Sequence, residues 1–209
     1  MRIYGVFVMI LAVIAAVVTG AWLHTSYQSI VAANTEELKA QSVSFFEGRI
    51  KTSLDPGVFA SKDKQKQAQA LQAFWYSIQS PDVVRIKAWD MNYTVLWSNS
   101  ASIIGQRFAD NRELGEALKG EPAFEIGAAK NENISEEEFQ GLSETYVPVK
   151  DTGGAIVGAM EIYQSTVPFD ARVGDEFRKQ ELITIPLAIL AFVAAAFLLR
   201  LVIKPKSNP

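Results

Sequence analysis

Two uncharged apolar runs, Ile3 to Leu23 and Leu182 to Leu199, stand near the ends of this chain, and nearly all of its charge lies between them. A run of 21 residues makes a helix of roughly 30 Å, the thickness of a bilayer's hydrocarbon core, so both runs are long enough to span a membrane. The pattern predicts a first membrane helix over 3–23, a folded domain over 24–181, a second membrane helix over 182–203 and a tail over 204–209. Arg200 sits four residues before Lys204 and can snorkel to the inner surface. Pro186 removes one helical hydrogen bond, which predicts a kink near the outer end of the second span. Ala16 with Gly20, and Ala191 with Ala195, are small residues four apart that let helices approach closely. Thr19-Gly20-Ala21 would serve as a cleavage site, but the apolar run exceeds a signal-peptide core and its basic leader is only Arg2, which favours an uncleaved anchor.

Between the runs the periodicity changes along the chain. A helix is expected from Thr25 to Leu54, with Val31, Leu38 and Phe45 recurring every seven residues and Ile30, Phe46 and Ile50 widening the stripe. That heptad suits either a dimer seam or packing on its own domain, since Asn34 and Gln41 would fall in the seam. Asp55-Pro56-Gly57 ends the helix. Ser61 is the expected cap of a second helix whose apolar face is Leu71, Phe74, Trp75 and Ile78, with Lys62, Lys64 and Lys66 on a solvated side. Val83–Trp89 and Thr94–Ser98 read as strands joined by a turn at Asp90-Met91-Asn92-Tyr93. A helix over Asn111–Lys119 ended by Gly120, a strand at Ala123–Ile126, an acidic stretch over Asn131–Glu138, and strands over Ser143–Lys150 and Ala155–Gln164 around Asp151-Thr152-Gly153-Gly154 follow. From Pro168 the pattern is helical into the second run.

Charge orients the chain. All 23 acidic residues fall in 24–181 against 16 Lys and Arg, which leaves −7, while the flanks hold Arg2, Arg200, Lys204 and Lys206 and no acid. Basic residues beside short tails are retained on the cytoplasmic side, so both termini are expected inside and the domain outside, against the weaker pull of Arg178 and Lys179. The chain has no cysteine, hence no disulfide, thiolate metal site or cysteine nucleophile. Its one histidine, His24, stands at the mouth of the first run and reads as an interfacial side chain, which sets aside histidine-based metal sites and Ser-His-Asp chemistry. No cofactor motif and no nucleic-acid footprint is present.

The order of stalk helix, second helix, hairpin, helix and closing hairpin resembles the extracytoplasmic single-Cache, PAS-like sensor domains of bacterial transmembrane receptors such as sensor histidine kinases. The resemblance rests on Val84-Arg85-Ile86-Lys87-Ala88-Trp89-Asp90, Val95-Leu96-Trp97-Ser98, Ile104-Gly105-Gln106-Arg107-Phe108, Tyr146-Val147-Pro148-Val149 and Val157-Gly158-Ala159-Met160-Glu161-Ile162-Tyr163. It implies an α+β fold, a PAS-like antiparallel sheet with a long N-terminal stalk helix between two transmembrane helices, and a ligand site on the sheet face opposite the stalk. In that family the first hairpin usually turns through a glycine where this chain has Tyr93, which leaves the register open by one residue.

Strand alternation, read independently, sets Arg85, Lys87 and Trp89 on one side and Val84, Ile86 and Ala88 on the core side. Two cations and an indole suit a small carboxylate, with Arg107, Tyr146, Glu161 and Tyr163 as further candidate ligand-binding residues. The competing reading is a solvent-facing ladder in which Arg85 and Lys87 pair with Glu144 or Glu161 across strands. Trp97 is expected in the core.

No catalytic constellation is found, and a phosphate loop of the form GxxxxGK[ST] is absent. Val173-Gly174-Asp175-Glu176-Phe177 matches four of five letters of a cyclase signature but lies beside a span with no domain around it. Asn92-Tyr93-Thr94 and Asn133-Ile134-Ser135 fit an N-glycosylation triplet that matters only in a eukaryotic secretory pathway. The sequence therefore predicts a two-pass protein of the bacterial inner membrane, not an enzyme, whose domain binds a small molecule. Its expected partners are the lipid bilayer, a second copy in a homodimer, and a kinase or cyclase output module supplied in trans or by a longer parent chain. The alternatives are a bitopic envelope scaffold that binds protein, and a membrane-anchored hydrolase using carboxylates alone.

Overall fold

The computed structural model describes residues 2–127 and 141–203, with side chains from Tyr4. The acidic stretch and the Asn133 triplet lie outside the described residues. In chain order the elements are α1 (Arg2–Ser53), a 3₁₀ turn (Pro56–Ala60), α2 (Lys64–Ile78), β1 (Val83–Trp89), β2 (Val95–Ser98), a second 3₁₀ turn (Ala101–Ile103), α3 (Arg112–Ala117), β3 (Ala123–Ile126), β4 (Leu142–Lys150), β5 (Ile156–Ser165) and α4 (Val167–Val202). The chain forms two compact units, one of residues up to Thr35 with those from Asp170 on, the other Glu36–Phe169.

The first unit is a helix pair. Both α1 and α4 are long and apolar enough to cross a membrane, and among the described residues neither apolar window is buried within the protein. A core helix of a soluble domain would be covered, whereas here Val17, Val18, Leu182 and Leu190 are all exposed. Ala16 and Gly20, with Ala12, Ala15 and Thr19, line one wall of an apolar groove of about 380 Å³, opposite Ile185, Ala188, Ile189 and Phe192. Helix α4 passes through Pro186 unbroken. The cyclase-like letters are ordinary helix: Glu176 accepts from Asn34 Nδ2 at 2.9 Å, and Phe177 meets Tyr27 edge to face at 5.2 Å.

The second unit is α+β, with one antiparallel five-stranded sheet in the order β2-β1-β5-β4-β3. Its main core lies between the sheet and the helices. Phe46 and Ile50 of α1, Leu54 just after it, and Leu71, Phe74, Trp75 and Ile78 of α2 pack on Ile86, Ala88, Trp97, Val147, Val149, Met160 and Ile162. Burial of each large side chain is worth roughly 1.5–3 kcal/mol. The stripe of α1 that packs here is not the expected heptad: Phe45 is 52% exposed and its neighbour Phe46 is fully buried. Helix α1 meets the sheet through Phe46 and Ile50, four residues apart and so on one face of the helix.

Three local expectations shift for identifiable reasons. Asp63, not Ser61, caps α2, its carboxylate accepting from Gln65 N and Lys66 N at 3.1 Å; an ionised acceptor outcompetes a hydroxyl at a helix start. Ser61 Oγ instead accepts from Asp63 N. Val83 rather than Val84 joins the core, because the β1–β5 register slips between Val83 and Arg85. The hairpin turn does need the left-handed backbone that glycine supplies: Tyr93 has φ +62°. Asp90 Oδ1 holds that turn by accepting from Asn92 N and Thr94 N at 2.8 Å. The Tyr93 ring packs against the second apolar cluster, and a Cβ on Gly115 would stand 3.0 Å from its hydroxyl. That packing offsets a backbone cost of about 1–2 kcal/mol.

Candidate functional site

The opposite face of the same strands carries polar side chains, and the register shows how they meet. Cross-strand partners share a face. One rung reads Lys87, Glu161, Tyr146 and Ala123 across β1, β5, β4 and β3; the next reads Arg85, Tyr163, Glu144 and Glu125. Trp89 stands beyond the first rung, opposite Ala159. Lys87, Trp89, Tyr146, Glu161 and Tyr163 are all 0% exposed, and Arg85 and Glu144 are buried. Below them Leu114 and Ala117 of α3, with Leu118 at its C-terminal cap, close an apolar cluster with Trp89, Val95, Ile103, Ala123 and Ala159.

Glu161 is the hub. Its Oε2 accepts from Trp89 Nε1 at 2.6 Å, and its Oε1 accepts from Tyr146 OH at 2.8 Å and from Tyr163 OH. Lys87 Nζ lies 3.6 Å from the same oxygen and donates to Tyr163 OH at 2.5 Å. The ammonium also lies 4.5 Å from the Tyr163 ring centre and 6.0 Å from that of Trp89, a cation–π setting that is strongest where water is excluded. Tyr146 OH is shared between Glu161 and Glu144 Oε2, the latter at 2.7 Å, and accepts from Asn111 Nδ2 at 3.1 Å. Burial first, then the charges of Glu161 and Glu144, push the Tyr146 hydroxyl well above the ordinary tyrosine range. It therefore stays a proton donor to carboxylates.

Asn111 ties the network to α3. Its Oδ1 caps the helix by accepting from Leu114 N at 2.8 Å while its amide reaches Tyr146. Among the described residues no three His, Cys, Asp or Glu side chains are placed to hold a metal ion. Desolvating a charged pair costs several kcal/mol per ion, and an apolar replacement of equal volume is often as stable. A network of this kind is weak support for stability; the carboxylate it holds between cationic, phenolic and indole donors is that of Glu161.

No family model matches the chain, and no characterised protein matches it in sequence. Among the solved structures that resemble it are three sensor domains. The sensor domain of the V. cholerae histidine kinase DctB matches with a TM-score of 0.47 and 15% identity over 71% of this chain and 57% of that one. The E. coli DcuS sensor domain matches with a TM-score of 0.45 and 17% identity over 72% of this chain and 98% of that one. The sensory domain of the Campylobacter jejuni chemoreceptor Tlp3, with isoleucine bound, matches with a TM-score of 0.47 and 14% identity over 76% of this chain and 65% of that one. This chain thus spans 57% of the length of the DctB structure.

Of the seven residues singled out from sequence, the structure brings Arg85, Lys87, Trp89, Tyr146, Glu161 and Tyr163 onto one face. The cross-strand pairing of Lys87 with Glu161 is present, but it is buried rather than solvent-facing. Arg107 is placed differently: it is exposed, and its Nε donates to Asn92 O at 2.9 Å beside the β1–β2 turn. One participant, Asn111, escaped sequence reasoning; it was legible only as the start of a helix, because its bond to Tyr146 crosses 35 residues. Glu144, named from sequence only as a cross-strand partner, joins the network through Tyr146.

Proposed function

We propose that this chain is a membrane-anchored receptor of the bacterial inner membrane, with α1 and α4 as its two spans and the α+β unit outside the cell interior. Its polar sheet face, formed by Arg85, Lys87, Trp89, Tyr146, Glu161 and Tyr163, binds a small carboxylate. Occupancy alters β5, which is followed directly by α4, and a displacement of that helix carries the signal to a kinase or cyclase module of a partner or a longer parent chain. The receptor works as a homodimer. Such coupling is no larger than the ligand's preference for one state over the other.

One observation carries this reading: a buried polar network occupies one side of strands whose other side already forms a complete apolar core. Stability alone does not require it. The test uses the full chain in detergent, screened by thermal shift against small carboxylates, amino acids and amines. A ligand at about 100 times its Kd adds about 2.7 kcal/mol, several degrees of Tm. A carboxylate should stabilise the wild type, and Arg85→Ala should abolish the response. A screen without any shift, with a partner protein binding the same unit, would replace this reading with that of a scaffold.

A further inference from the structure

Trp89 Nε1, Tyr146 OH, Tyr163 OH and Lys87 Nζ come from three strands and converge on a single buried carboxylate, that of Glu161. Tyr146 OH also donates to Glu144 Oε2 at 2.7 Å, so its proton is already divided between two carboxylates. Each indole or phenol has one proton to give, and a third carboxylate entering this desolvated space would meet the repulsion of both. An incoming carboxylate that only exchanges with Glu161 gains nothing, because the donors make the same bonds before and after.

We propose that Glu161 determines the specificity of this site as an internal carboxylate, occupying the Trp89, Tyr146, Tyr163 and Lys87 donors until a ligand displaces it. The proposal rests on reading the polar face as a carboxylate site. It adds that a bare monocarboxylate is rejected, and that a ligand succeeds only by bringing a further group, polar or apolar, that Glu161 cannot imitate. Because Glu161 lies on β5 four residues before the strand ends at Ser165, its displacement is also the first movement a ligand imposes on the strand that precedes α4.

Acetate is the probe, with chloride as the ionic control, on the full chain in detergent. Wild type should show no saturable acetate response. Glu161→Ala should have a lowered thermal midpoint that acetate, and not chloride, restores in a saturable manner by filling the vacated position. Glu161→Gln keeps the volume and removes the charge, and should show a saturable response to acetate that wild type lacks. It serves even if the alanine variant does not fold. Absence of acetate recovery in Glu161→Ala, or a Glu161→Gln that responds no more readily than wild type, would overturn the proposal and show Glu161 to be a ligand contact or a structural group. If wild type responds to no compound in the carboxylate screen while Glu161→Ala still takes up acetate, the ligand reading fails and Glu161 is a structural carboxylate.

Discussion

The two faces of one sheet are built from alternate residues of the same strands, and both are closed to water, yet they obey different rules. Ile86, Ala88, Met160 and Ile162 meet the helices as a dry apolar layer, while Arg85, Lys87, Glu161 and Tyr163 beside them form a hydrogen-bonded, charged one. The apolar layer needs only volume and shape. The polar layer needs every donor matched to an acceptor, since an unmatched charge there costs far more than a lost methylene. Truncation should therefore hurt either face, and only the polar one should be repairable by removing a second group.

The largest effect is expected at Phe74, buried under the sheet. Phe74→Ala should cost about 3–5 kcal/mol in chemical denaturation and leave the affinity for any ligand of the polar face unchanged. Next, Lys87→Met should cost about 3 kcal/mol by leaving Glu161 without its cation. The double variant Lys87→Met with Glu161→Gln should regain most of that loss. If the double is as unstable as the sum of its parts, the two residues are not energetically coupled and the contrast between the faces fails. The smallest effect is expected from Gly158→Ala, where an added Cβ would stand 2.3 Å from Trp89 O and 2.5 Å from Phe59 Cδ1. Overpacking against backbone should cost about 2 kcal/mol. An unchanged midpoint would mean that the strand at Gly158 yields more easily than its neighbours suggest.

Most of the fold was legible because its signals are local. The apolar runs, the Asp55-Pro56-Gly57 stop, the turn at Asp151, whose Oδ1 accepts from Gly153 N and Ala155 N, and the alternation of β1, β4 and β5 each depend on residues close in sequence. Errors arose where two local solutions compete. Phe45 and Phe46 both suit an apolar stripe, and only packing on the sheet selects Phe46. Ser61 and Asp63 both cap a helix, and the charged one prevails.

By itself the sequence determined that two segments are apolar enough to span a bilayer, that the polar part between them folds as α+β, and that Arg85, Lys87 and Trp89 share one side of a strand. Hydropathy and alternation are properties of neighbouring residues and can be read without any distant partner. Only the tertiary structure decided that Glu161 faces Lys87 and that Asn111 reaches Tyr146. It alone placed Val83 in the core in place of Val84 and left Arg107 on the surface. Register and burial are set by contacts between residues far apart in the chain, where one bulge exchanges the faces of everything on its far side.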